Sequence, residues 1–422
     1  KDCPHEMLEW RKRFVTARGG QFDLYMPFFE QAVRSLKTGG RLGWSVSNTF
    51  LRSIFGEQLR RFLGDTCTVH ELVEFENPKV YADAVTQIVL VRAEKGSVHE
   101  PCRHVWVRGR PESRDALDAV AGGQVQEGVL LDIRNLPATA CRGPEWRLTD
   151  DPARTAALQG TARTLKELGI RITQGVVTGA DPVFLLRVVH ADPSGLSRVQ
   201  DRDGRQDLVE SALLRPAIRS REVHGYAVPH GKNHLLVPHN AEGHLLAEPA
   251  LAACFPAAHG YLLKRRDELP VRGKGSRPFY AFRNDAILRR PSAPRILAGM
   301  VTSGADVTIT ATDATVPHAG VLVLNNFPAA LDPHYLLAVL NGPAFWSFVR
   351  GTMPTMGVGR HVLRRGPLAG FRVPLPSGDA QAEIAALVRQ LLATASDSER
   401  TRLKGLIDEA VLSCSGVEAG IV

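Results

Sequence analysis

The densest chemistry-bearing stretch is Lys264–Arg295, where ten Lys/Arg stand against three Asp/Glu. Lys264, Arg265, Arg266, Arg272, Lys274, Arg277, Arg283, Arg289 and Arg290 surround Phe279, Tyr280 and Phe282. Cations at this density make salt-dependent contacts to polyanions. The interleaved aromatics either stack on bases or anchor the segment to a core, and anchoring is the commoner use. A second basic run, Arg360-His361 with Arg364-Arg365, follows Gly357-Val358-Gly359. Five histidines, His224, His230, His234, His239 and His244, crowd one region. Only His230 and His234 have a compact spacing, and they flank a turn signal, Gly231-Lys232-Asn233, so no metal site is expected. No Ser/His/Asp or Cys/His signature and no Walker loop is recognisable.

The elements that must position these residues fall into two regimes. In the first hundred residues Phe22, Leu24, Tyr25, Phe28, Phe29, Ala32, Val33 and Leu36 recur at helical spacing and predict one apolar face. Gly39-Gly40 stops that helix. Arg41–Val46 reads as a buried strand, Gly56–Leu63 as a helix closed by Gly64, and Thr68–Phe75 and Val85–Val91 as strands. This is an α/β sheet that ends in a hairpin and is too small to close a core alone. Residues 97–165 are weakly patterned and read as a bridge. From Leu168 onward short strands predominate: Gly169–Gly179, Val183–Val189, Leu235–Pro238, Arg295–Val301 and Val321–Leu324. Two amphipathic helices end the chain, the first with Ile384, Leu387, Val388, Leu391 and Leu392 on one face, the second over about Ser398–Leu412.

With 422 residues, 44% hydrophobic and 23% charged, the chain excludes a disordered polymer, and no apolar run approaches the roughly 20 residues of a membrane helix. Its net charge is +8, unevenly spread: residues 1–100 hold 14 Lys/Arg against 13 Asp/Glu. The six single cysteines read as reduced thiols of a cytoplasmic protein. The start at Lys1, without an initiator Met, reads as part of something longer.

Read in order, several strings resemble one family. They are Asp23-Leu24-Tyr25, then Leu36-Lys37-Thr38-Gly39-Gly40-Arg41-Leu42-Gly43, then Ser47-Asn48-Thr49-Phe50-Leu51, then Val80-Tyr81 before Val85-Thr86-Gln87-Ile88-Val89-Leu90. Together they look like the second half of a γ-class adenine-N6 DNA methyltransferase of the type IIG restriction–modification and phage-defence kind. Gly175-Val176-Val177-Thr178-Gly179-Ala180-Asp181, Leu214-Arg215-Pro216-Ala217-Ile218-Arg219 and Tyr335–Gly342 look like its TaqI-like specificity domain.

The resemblance implies the C-terminal half of a Rossmann-like, S-adenosylmethionine-dependent methyltransferase domain over 1–96. After the bridge, 97–165, it implies an irregular α+β target-recognition domain over 166–378 and terminal helices over 379–422. Double-stranded DNA is the implied partner and S-adenosylmethionine the implied cofactor. The base would be flipped out of the duplex to reach the methyl donor. Tyr81 would stack on the flipped adenine; Asp23, Tyr25 and Asn48 would line the pocket. Asp23 is equally an ordinary N-cap, and Asn48 equally the cap of the next turn. Lys264, Arg265, Arg266, Arg272, Lys274, Arg277, Arg283, Arg360, His361, Arg364 and Arg365 would meet DNA, Arg being best shaped to read guanine edges. The family's Gly-x-Gly loop and its Asn-Pro-Pro-Tyr-type tetrapeptide are absent; Asn77-Pro78-Lys79-Val80 lacks the second Pro. The 422 residues alone are therefore expected not to methylate DNA. Two other readings stand beside this one: a non-catalytic DNA-binding specificity module completed by a partner chain, and a metal-dependent hydrolase built on the histidines.

Overall fold

The computed structural model describes residues 4–18, 22–75, 87–96, 100–109, 118, 122, 129–146, 148, 162–227, 231–269, 277–289, 294–311, 314–354, 356 and 359–414. The chain divides into two compact units, the first made of 1–155 and 346–363, the second of 156–345 and 364–422. Within the stretch expected to be a bridge, Cys102–Gly109 and Val129–Leu136 are strands of the first sheet, whereas Arg163–Thr164 pairs with Arg372–Val373 in the second unit.

Unit 1 opens with helices α1 (Pro4–Arg13) and α2 (Tyr25–Ser35). The core face of α2 is Met26, Phe29, Glu30 and Val33, spaced i, i+3, i+4, i+7, whereas Leu24 and Phe28 are exposed. The buried Glu30 explains why a hydrophobic count misplaced that face. Its carboxylate accepts the N–H groups of Val15 (3.2 Å) and Thr16 (2.8 Å) and pairs with Arg34, so a polar side chain is fully satisfied on the core side. Gly39 turns the chain at φ +77° and donates its N–H to the Lys95 carbonyl (2.7 Å).

Strand β1 (Arg41–Ser47), helix α3 (Thr49–Arg52), helix α4 (Glu57–Thr66) and strands β2 (Cys67–Phe75), β3 (Ile88–Lys95), β4 (Cys102–Gly109) and β5 (Val129–Leu136) follow. The sheet order is β1-β3-β2-β4-β5. Strand β3 runs antiparallel to both β1 and β2, β2 and β4 are parallel, and β5 is antiparallel to β4. In β4 the charges hide the strand, since Arg103 lies opposite Glu71 of β2 and pairs with it. Its alternating partners Val105 and Val107 are fully buried.

Gly64 does not end α4; it lies inside it. A Cβ there would meet the Cys141 carbonyl oxygen at 2.8 Å, so the glycine lets the 140–143 backbone approach the helix. Gly64→Ala is expected to cost about 1–3 kcal/mol by forcing these backbones apart. A lower midpoint in urea unfolding checks it.

Unit 2 holds a six-stranded sheet in the order Gln206–Glu210, Leu196–Gln200, Leu185–Ala191, Asn233–Leu236, Leu214–Ile218, Val316–Pro317. A four-stranded sheet has the order Val307–Thr310, Arg295–Gly299, Val321–Asn325, Arg171–Gln174. The terminal helices, Gly378–Ala393 and Asp397–Cys414, belong to this unit and pack together, the first also against Pro333–Asn341. The first buries Ile384, Ala385, Val388 and Leu391. No helix among the described residues is long and apolar enough to cross a membrane.

Candidate functional site

At the ends of β1, β2 and β4 a buried charge cluster forms around Glu74, which is fully buried. Arg52, from α3, donates Nη1 and Nη2 to its two carboxylate oxygens at 2.5 and 2.6 Å. His104 Nε2 lies 2.9 Å from Oε1. Asn48 follows β1 directly: its N–H donates to the Gln87 carbonyl (3.0 Å) and its side-chain Nδ2 to Glu74 (3.5 Å). Trp106 supports the guanidinium of Arg52 at 5.8 Å from the ring centroid.

Burial, the largest influence, pushes the Glu74 carboxyl up. The adjacent Arg52 and the His104 hydrogen bond outweigh it, and the group is brought down to about 2. Glu74 therefore stays ionised with both oxygens occupied. It is a poor general base and a good fixed point for the end of β2. Buried His361 lies in the same unit, against Trp346 at 5.4 Å; burial draws its imidazole down to about 4, so the ring is neutral near pH 7.

A second buried cation acts through α3. Arg60 donates Nη1 to the carbonyls of Phe50 and Ser53 (2.8 Å to the latter) and Nε to that of Pro144 (2.6 Å). Burial lowers it to about 10, still charged at neutral pH. Tyr25 is half-buried, its phenol raised chiefly by burial and then by Asp23, with Arg60 opposing. Asp23 is exposed and caps nothing with its side chain; its carbonyl accepts the Met26 N–H (3.0 Å). Asn48 occupies the N-cap position of α3 without a side-chain capping bond. The structure thus ties Asn48 to Arg52 of the same short helix through Glu74. Tyr81 lies outside the described residues.

In unit 2 the basic run separates into distinct roles. Arg265, expected at DNA, is instead a buried structural cation: its side chain is 5% exposed, pairs with Asp207 (2.8 Å) and Asp201 (3.3 Å), and lies over the Tyr261 ring. Lys264 is exposed but bonded to Asp207 at 2.8 Å. Arg266 lies over Phe279 at 4.9 Å. Arg277 and Arg289 both reach Asp285, and Arg283 is exposed. Tyr280 and Phe282 are fully buried, so they anchor the segment. Arg272, Lys274 and Arg290 lie outside the described residues. Arg360, Arg364 and Arg365 are exposed, whereas His361, expected to meet DNA, is buried. Among the histidines, His239 is 3.3 Å from Asp285; among the described residues no three metal-ligating side chains converge.

Glu74, Arg52, His104 and Arg60 were not singled out from sequence. A charged residue inside the apolar run Leu72-Val73-Glu74-Phe75 was the available signal, since a carboxylate in a buried strand requires a partner.

The Eco57I restriction-modification methylase family matches residues 4–81. The type II methyltransferase M.XhoI of Xanthomonas vasicola is 26% identical over 50% of this chain and 40% of its own length. The type II methyltransferase M.PaeR7I of Pseudomonas aeruginosa is 26% identical over 42% of this chain and 32% of its own. The matched regions thus span less than half of either relative. Among solved structures, the type IIL restriction-modification enzyme MmeI, in complex with DNA, shares the fold at a TM-score of 0.63 with 10% identity, over 99% of this chain and 53% of that one. Residues 4–81 are thus similar to the Eco57I restriction-modification methylase family, and parts of the chain are similar to type II methyltransferases.

Proposed function

We propose that this chain is the base-pocket and DNA-recognition portion of a site-specific DNA methyltransferase that methylates adenine N6 in duplex DNA. The observation that supports it most is the family match over 4–81, a run that includes β1, β2 and the segment bearing Tyr81. S-adenosylmethionine is the methyl donor we infer for the whole protein; when bound it supplies an electrophilic sulfonium methyl. Asn48, expected to line its pocket, does not fit that role, because it is buried and its amide donates to Glu74. The chain's own residues position groups: the Glu74 cluster fixes the end of β2, from which the chain continues toward Tyr81. Tyr81 then stacks on the extruded base, and exposed arginines of unit 2 hold the backbone of the duplex.

The full-length protein, given labelled S-adenosylmethionine and duplex DNA, is expected to place label in N6-methyladenine on nucleoside analysis. Tyr81→Ala should lower turnover by roughly 5- to 150-fold, the equivalent of a stacking interaction of about 1–3 kcal/mol, with duplex affinity retained. Label in cytosine, or none, rejects the adenine assignment.

A further inference from the structure

The segment 277–289 is built as a rigid platform. Asn284 exchanges backbone hydrogen bonds with Val177 (2.9 and 3.0 Å), and the Arg283 N–H donates to Thr178 (3.3 Å). Phe282 packs edge-on to Phe184 at 4.9 Å and against His239 at 5.0 Å, and the Tyr280 hydroxyl donates to the Leu246 carbonyl (2.8 Å). Beneath it Gly243, at φ +78°, would place a Cβ 2.1 Å from the Leu288 carbonyl oxygen, so the 239–246 turn fits directly against this backbone.

On this platform one buried carboxylate, Asp285, with a side chain 5% exposed, holds two arginines. Arg277 Nη2 is 3.3 Å from Oδ2 and Arg289 Nη2 is 2.8 Å from Oδ1, while His239 backs the carboxylate at 3.3 Å. The two arginine side chains remain 54% and 42% exposed. Arg283, between them in sequence, is exposed too. Burial keeps His239 neutral, its imidazole brought down to about 4. Two guanidiniums on one carboxylate leave a local charge of +1, and Arg283, two residues before Asp285 on the same braced segment, adds a further exposed cation. Like charges held together in this way are costly until an anion sits between them, and a guanidinium bonded through one nitrogen still presents other N–H donors.

We propose that Arg277, Arg283 and Arg289 form a clamp for the phosphodiester backbone of a nucleic acid duplex, with Asp285 as the positioning residue that pre-aims two of its arms. This rests on the DNA-methyltransferase reading for its ligand, but it assigns the contact to these side chains rather than to the basic run as a whole. Lys264 and Arg265 are excluded from it by their pairing with Asp201 and Asp207.

The test is duplex binding by the full-length protein over a range of salt concentrations. Each of Arg277→Gln, Arg283→Gln and Arg289→Gln should reduce the slope of log affinity against log salt by about one, and the triple variant by about three. Lys264→Gln should leave the slope unchanged. Asp285→Asn separates positioning from simple field strength. Removing a negative charge tightens binding if only the field matters, whereas a clamp that loses its fulcrum binds more weakly. The exposed arginine variants read the clamp independently of how Asp285→Asn folds. An unchanged slope in the triple variant, with wild-type protein still binding in a salt-dependent way, overturns the clamp and leaves the DNA reading intact. Absence of salt-dependent duplex binding by wild-type protein overturns both.

Discussion

Arg52→Met should destabilise unit 1 by about 3–5 kcal/mol, because it strands a fully buried carboxylate whose two oxygens both face the guanidinium. All five tryptophans, Trp10, Trp44, Trp106, Trp146 and Trp346, belong to unit 1, so intrinsic fluorescence during urea unfolding reports this unit separately from the other. The double replacement Arg52→Met/Glu74→Leu should recover much of the loss, since exchanging a buried ion pair for apolar groups removes the desolvation cost of both. The same cluster sets an acid limit. The Glu74 carboxyl lies at about 2 in the folded chain against an ordinary 4.5, so its contribution is complete above pH 4.5 and is lost as pH falls toward 2. Linkage puts that contribution at roughly 3 kcal/mol, of the same order as the mutational loss. An acid titration in which wild-type and Arg52→Met proteins lose tryptophan signal at the same pH would contradict this account.

Arg60→Met should cost a further, separate 3–5 kcal/mol or so. The guanidinium bonds the carbonyls of Phe50, Ser53 and Pro144, and methionine would fill the space while leaving these acceptors without their donor. Because Phe50 and Ser53 lie within α3 and at its end, the loss should propagate to Asn48 and Arg52. Arg60→Lys, with a compact ammonium in place of the fork, should restore only part of the stability. Equal fluorescence midpoints for wild type and Arg60→Met would show that the three carbonyls are satisfied without it.

Period and punctuation made most of unit 1 legible in its sequence. Strands β1 and β2 and helices α2 and α4 lie within a few residues of where alternation and helical spacing put them, and the turn at Gly39 has the positive φ that a Cβ-free residue signals. The core face of α2 was not legible, because Leu24 and Phe28 look like core residues and Glu30 does not. Strand β4 was hidden by Arg103, whose partner Glu71 lies on another strand. The same cause limited the site. Lys264 and Arg265 are neutralised by Asp201 and Asp207, about sixty residues earlier, and only folding reveals that pairing. Asn48 was found by its place after a strand; the side chain it bonds, Glu74, was not.

Unit 1 is discontinuous: its last contribution, 346–363, comes after the 190 residues 156–345 of the other unit. A ribosome adding about 5–20 residues per second needs on the order of 10–40 s to bridge that interval. Throughout it, the nascent strands must wait without Trp346 and His361. The order of synthesis therefore lets unit 2 begin to form before unit 1 is complete.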